Sequence, residues 1–196
     1  MKTTTPTPLP IVRLEVEQLF GKYSYTLPSE ENAMMVYSPF ILYGDNGTGK
    51  TTLLNILFHL LSPKLNRDHR AFLTKIPFAK FSVFFADGKQ LCVSRPDDTL
   101  EGTFNLQLFQ GKDSIAKVKA VDQDFSGSKQ QEKLDQFYQK LFENPFRVYF
   151  IRDNRTIEIN SVDDDSQVPV LDFMRERGLF EDEGKLSIER VVIHKK

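Results

Sequence analysis

The segment from Ile41 to Leu61, ILYGDNGTGKTTLLNILFHLL, constrains this chain more than any other. A largely apolar run from Met35 to Tyr43 leads into three glycines and a lysine, and a second apolar run follows at once. Gly44, Gly49, Lys50 and Thr51 fit G-x-x-x-x-G-K-[ST], and the flanks predict a strand before the loop and a helix after it. A loop that wraps a phosphate must aim several successive N–H groups inward, which glycine permits without steric cost. The first turn of the following helix adds unpaired N–H groups and the positive end of its dipole. On this pattern Lys50 reaches the β- and γ-phosphates of a nucleotide. Thr51 holds Mg²⁺ through its hydroxyl, and Thr52 lies at the α-phosphate.

The helix after the loop has apolar residues on nearly every side: Leu53, Leu54, Ile56, Leu57, Phe58, Leu60 and Leu61. That distribution predicts a helix buried at the centre of the domain and stopped by Pro63. Upstream, Val12, Leu14 and Val16 alternate, Gly21-Lys22 offers a turn, and Tyr23, Tyr25 and Leu27 alternate again, predicting an N-terminal hairpin. Downstream, a short helix is expected around Asp68 to Thr74. Period two then sets in with Ala79, Phe81, Val83 and Phe85, a turn at Asp87-Gly88, and Leu91 and Val93. Phe104, Leu106 and Leu108 alternate next, and Gly111-Lys112-Asp113 turns the chain into Ile115 to Val121. The expected result is an antiparallel meander inserted after the buried helix. Leu134, Phe137, Tyr138, Leu141 and Phe142 then mark one face of an amphipathic helix closed by Pro145. A buried strand is expected over Val148 to Ile151, a helix over Val170 to Arg177, and an extended segment over Leu186 to Ile193.

With 196 residues, 40% of them hydrophobic, the chain can bury one real core. A net charge of −1 gives no basic field over the whole molecule, so contact with nucleic acid would need a local patch or a partner chain. The single cysteine, Cys92, excludes an internal disulfide framework. The opening residues MKTTTPTPLP lack the apolar core of a signal peptide, and no apolar run approaches the roughly 18 residues of a membrane span. A cytoplasmic protein with no membrane contact is expected.

The nine residues Gly44-Asp45-Asn46-Gly47-Thr48-Gly49-Lys50-Thr51-Thr52 resemble the G-x-N-G-x-G-K-[ST]-[ST] loop of ABC-type ATPases. The likeness is to the structural-maintenance-of-chromosomes, RecF-like and overcoming-lysogenization-defect groups in particular. It covers roughly Ile11 to Asn154, and the loop segment is also similar to that of ATPases in bacterial phage-defence systems. The fold so implied is α/β: a P-loop NTPase N-terminal lobe with an antiparallel β insert over 11–160. A loose N-terminus over 1–10 and an acidic loop with a C-terminal extension over 161–196 would flank it. The resemblance implies ATP and Mg²⁺ as ligands, bound by all nine loop residues. It further implies head-to-tail closure of two such lobes in a homo- or hetero-oligomer, with DNA or an effector protein as a further partner. The work so driven would be DNA repair, chromosome maintenance or antiviral defence.

Hydrolysis in that family needs an acidic strand and a serine-glycine signature. FSGSKQQEKL, from Phe125 to Leu134, resembles the signature but lacks its second glycine; Ser128 and Gln131 instead predict a capping box that opens the amphipathic helix. In VYFIRD, Asp153 is followed by Asn154 where the family places a catalytic glutamate. Hydrolysis is therefore expected only once a second lobe or a partner supplies these parts, and the chain is expected to be a fragment or one subunit. A non-catalytic nucleotide-binding scaffold is one alternative. A P-loop small-molecule kinase is another, against which stand the Asn46-Gly47 pair and the all-β insert. Tyr23 and Tyr25 suit either strand packing or stacking on adenine. Arg152 and Arg155 suit a solvated or ion-paired surface, with contact to phosphate or DNA as the alternative, and the cluster Lys64, Arg67, His69 and Arg70 is too short to imply nucleic acid by itself. The three histidines, His59, His69 and His194, are expected as packing or surface residues rather than metal ligands.

Overall fold

Alternation at period two becomes, in the folded chain, transverse rows of side chains. The computed structural model describes residues 11–28, 42, 45–62, 65–122, 124–125, 127–142, 146–151, 157–161 and 191–195. β1 (Ile11–Leu19) and β2 (Tyr23–Leu27) form the expected hairpin. β3 (Lys80–Phe85), β4 (Lys89–Ser94), β5 (Phe104–Gln110) and β6 (Asp113–Val121) form the expected meander. Hairpin and meander are one sheet, because β1 pairs with β3, giving the order β2-β1-β3-β4-β5-β6 with every neighbouring pair antiparallel. One row crosses the sheet through Val16, Phe81, Val93, Leu106 and Val118. A second runs through Leu14, Val83, Leu91 and Leu108. All nine side chains are buried, and each contributes roughly 1.5–3 kcal/mol through the apolar surface it removes from water.

Two irregularities rephase this alternation. In β1 the register shifts between Val16 and Leu19, and Gln18 carries φ 54°, so Leu19 turns into the core three residues after Val16. In β6 Ala120, at φ 53°, gives its N–H to Asn105 Oδ1 at 3.1 Å, and Val121 is buried three residues after Val118.

Three helices share the sheet's hydrophobic cluster. α1 (Lys50–Leu61) buries Leu53, Ile56, Leu57, Phe58, Leu60 and Leu61, matching its all-round apolar sequence. Its end is set at Ser62, whose hydroxyl donates to the Phe58 carbonyl at 2.8 Å and whose backbone is extended, as residues before proline prefer. Asn66 caps α2 (Arg67–Lys75) by accepting the His69 N–H at 3.0 Å. α3 (Ser128–Leu141) buries Leu134, Phe137, Tyr138 and Leu141, the expected stripe, and the Tyr138 phenol donates to the Leu60 carbonyl at 2.8 Å, tying α3 to α1. The start of α3 differs from expectation. Gly127, not Ser128, is the N-cap residue, at φ 128°, and its carbonyl takes the N–H groups of Gln130 and Gln131, both at 3.0 Å.

Arg95 closes the layer beneath α2. Its guanidinium donates to the carbonyls of Leu73 at 2.6 Å, Ile76 at 3.0 Å and Gly102 at 2.5 Å, and it lies 4.5 Å from the centre of the Phe78 ring. Burial, only partly opposed by the charge of Glu101, pulls its pKa down to about 10. The cation is held by carbonyl dipoles in place of water.

A second sheet has the order β8-β7-β9, with β7 (Phe146–Ile151) antiparallel to both β8 (Ile157–Ser161) and β9 (Val191–Lys195). β7 contains the strand expected over 148–151, and β9 begins within the extended segment expected near the C-terminus. β8 was not foreseen. The strand expected over Met35 to Tyr43 and the helix over Val170 to Arg177 lie outside the described residues, except for Leu42. The fold described is thus mixed α/β around an antiparallel sheet, an arrangement that by itself is not typical of P-loop proteins. Among the described residues no helix is long and apolar enough to cross a membrane.

Candidate functional site

The bulge in β1 leads directly to the glycine-rich loop. It sends Leu19 inward and leaves Phe20 outward at φ 56°, with 42% of its surface exposed. The Phe20 N–H donates to the Pro77 carbonyl at 2.8 Å, which fixes this hairpin end against the segment before β3. Gly49 lies against it. A β-carbon at Gly49 would come within 2.7 Å of Leu19 Cδ2 and 3.3 Å of Phe20 Cε2.

Gly49 is also the N-cap of α1, at φ 87° and ψ 13°, and its carbonyl receives the Leu53 N–H at 2.9 Å. Two demands meet at this position: a left-handed backbone and no side chain. Gly47 has φ 85° with open space where its β-carbon would lie, and Thr48 between them does not share the positive φ. Positive φ at Gly47 and Gly49, on either side of a residue without it, is the sign pattern of an anion-binding nest, in which successive N–H groups face one side.

Among the described residues, three side-chain hydrogen bonds to backbone carbonyls hold the loop. Thr48 Oγ1 donates to the Asp45 carbonyl at 2.9 Å, and Lys50 Nζ donates to the same carbonyl at 2.7 Å. From outside, the Tyr25 phenol donates to the Thr48 carbonyl at 3.0 Å. The Tyr25 ring stacks on Tyr23 at 5.9 Å with 10° between planes, and Lys22 Nζ lies 5.0 Å above the Tyr23 ring. Desolvation, reinforced by the Tyr23 phenol and opposed by Lys22, raises the Tyr25 pKa above its ordinary 10.0, so the phenol stays a donor further into alkaline pH.

Asp45, Asn46 and Gly47 are exposed, Thr48, Gly49 and Lys50 half-buried, and Thr51 and Thr52 stand in the first turn of α1, Thr51 exposed. These eight residues are contiguous at one end of a buried helix, while Gly44 lies outside the described residues. The donor set suits a polyphosphate with Mg²⁺: main-chain amides and one ammonium for the anion, and one accessible threonine hydroxyl for the cation. Among the described residues no group of three His, Cys, Asp or Glu is placed to hold a metal by itself.

The other candidates separate from this loop. His59 and His69 meet Nδ1 to Nδ1 at 2.7 Å, with Phe72 stacked 4.0 Å from His59, so they join α1 to α2 as packing residues. Of the basic cluster, Arg70 is buried and donates to the Leu65 carbonyl at 2.6 Å, and Arg67 lies 3.6 Å from Asp124. Among the described members of the cluster, only Arg67 is exposed, and it faces the Asp124 carboxylate. Both edges of β7 are occupied by antiparallel strands. Lys64, Asp153, Arg152 and Arg155 lie outside the described residues, as does the side chain of His194.

Sequence patterning does not reveal the parts that Leu19, Phe20 and the Tyr25 hydroxyl play. The only signal was the break in alternation after Val16, where two polar residues precede Leu19-Phe20. No protein-family model matches the chain, and no curated protein sequence matches it.

Proposed function

We propose that the chain binds Mg-ATP through residues 44–52 and is the N-terminal lobe of an ABC-type ATPase similar to the structural-maintenance-of-chromosomes, RecF-like and overcoming-lysogenization-defect groups. The observation that carries this is the nest itself. Gly47 and Gly49 adopt positive φ inside a G-x-N-G-x-G-K-T-T sequence, at the start of a helix buried on most sides. Lys50 is close enough to the loop to turn from the Asp45 carbonyl onto a bound anion, exchanging a neutral acceptor for a charged one. Thr51 would hold Mg²⁺, which screens the charge of the phosphates when bound. The exposed ring of Phe20 offers apolar surface beside the loop for a purine.

In this proposal two lobes close on nucleotide as an oligomer, and a second lobe or a partner subunit supplies the acidic strand and signature. The protein would use that closure in DNA repair, chromosome maintenance or anti-phage defence, in the cytoplasm. A second reading, a nucleotide-binding scaffold that never hydrolyses ATP, is favoured by one observation. Asp153 is followed by Asn154 where the family places the glutamate that acts as general base for water. Phosphate release by the complete assembly separates the two. Turnover lost in Lys50→Ala supports the ATPase, and equal background release from wild type and variant, with ATP still bound by wild type, supports the scaffold.

A further inference from the structure

The Tyr25 phenol is already committed to the loop, and that bond fixes more than the atom it touches. We infer that Tyr25 is a positioning residue of the anion site, setting affinity for the phosphate chain and not for the base; this rests on the nucleotide-binding reading above. The carbonyl of Thr48 and the N–H of Gly49 belong to one planar trans peptide and point in opposite directions. By drawing the Thr48 carbonyl outward to its hydroxyl at 3.0 Å, Tyr25 turns the Gly49 N–H toward the opposite side of the chain, into the concavity of the nest. Among the described residues no protein acceptor takes that N–H. Without the phenol, the Thr48 carbonyl loses the bond that fixes the peptide plane from outside, and the Gly49 N–H is aimed less firmly.

The rest of the residue's surroundings suit this role. Tyr25 sits on the edge strand β2 opposite Val16, a buried residue of β1, so its backbone is anchored to the sheet through β1 and not to the loop. Its ring is held parallel to Tyr23 at 5.9 Å, which restricts the direction of the hydroxyl. The hydroxyl is thus a post on the edge of the sheet, 23 residues away in sequence from the peptide it orients.

A base-stacking tyrosine and a loop-positioning tyrosine predict different ligand dependences. The test is isothermal titration of the full chain, wild type and Tyr25→Phe, with Mg-ATP, Mg-GTP and Mg-tripolyphosphate, alongside thermal melts of both proteins. Tyr23→Phe serves as a control that removes a neighbouring phenol with no bond to the loop. Loss of one neutral hydrogen bond predicts affinity about three- to tenfold weaker for Tyr25→Phe. That factor is the same for all three ligands, because tripolyphosphate has no base, and Tyr23→Phe leaves tripolyphosphate affinity unchanged. Unchanged binding by Tyr25→Phe, or a loss confined to ATP and GTP, overturns the positioning role while leaving the anion site standing. Wild-type protein that takes up none of the three ligands overturns the anion site itself, and the positioning role with it.

Discussion

Leu19 and Gly49 are in contact so close that a β-carbon at position 49 would lie 2.7 Å from Leu19 Cδ2. The sheet therefore braces the loop through a residue that the β1 bulge delivers, and the glycine is required by its neighbours as well as by its φ of 87°. Gly47 differs: its φ is 85°, yet nothing lies within 4 Å of the position its β-carbon would take. Gly49→Ala combines strain and overpacking and should cost about 2–4 kcal/mol. Gly47→Ala carries only the left-handed penalty, about 1–2 kcal/mol. Urea denaturation measures both, and equal losses at the two sites would contradict the brace.

Arg95 offers a test of the carbonyl cage beneath α2. Arg95→Met strands the carbonyls of Leu73, Ile76 and Gly102 and should destabilise by about 2–4 kcal/mol. Arg95→Lys should recover less than half of that, since a single ammonium lacks the planar fork that reaches carbonyls on both sides. Urea midpoints decide it; a lysine variant as stable as wild type would mean that charge alone suffices.

Tyr138 links the amphipathic helix to the helix that begins in the loop. Tyr138→Phe keeps the ring but leaves the buried Leu60 carbonyl without its donor at 2.8 Å, and should cost about 1–2 kcal/mol. Chemical denaturation measures it, and a change below a few tenths of a kcal/mol would show that the bond contributes nothing net.

Alkaline stability follows from two buried neutral acids. Burial raises the pKa of Cys92 above its ordinary 9.0 and that of Tyr138 above its ordinary 10.0. In each case the unfolded chain releases the proton at a pH where the folded protein keeps it. The unfolded state then binds fewer protons and stability falls as pH rises. The contribution is complete below about pH 9 and is lost above it, Cys92 first. Melting temperatures from pH 8 to 11 should decline on this limb, and Cys92→Ala should flatten its first part. A decline of unchanged slope would remove Cys92 from the account.

Much of the scaffold was legible in the residues because sheet alternation and helix burial are local patterns. Phe81, Val83, Leu91, Val93, Leu106 and Leu108 declare themselves by period two, and α1 by apolar residues on all sides. The α1 boundary was legible too, since Gly49 and Pro63 bracket it. What was not legible depends on long-range meetings. Pairing of β1 with β3, which merges hairpin and insert, has no sequence signature, and neither does the bulge that places Leu19 under Gly49. Ser128 and Gln131 fit a capping pattern, yet Gly127 takes the cap position with a positive φ of 128° that favours glycine. Within the site, the loop was read from its glycines and lysine, whereas the Tyr25 hydroxyl was invisible, because alternation says which side a ring lies on and nothing about what its oxygen touches.

The most direct measurement is calorimetric titration of Mg-ATP into the wild-type chain and into Lys50→Ala. Saturable, magnesium-dependent binding by wild type is expected, weakened about tenfold or more when the ammonium that now rests 2.7 Å from the Asp45 carbonyl is removed. No uptake by the wild-type protein, or the same affinity with and without Lys50, would contradict the proposal that this loop grips a nucleotide.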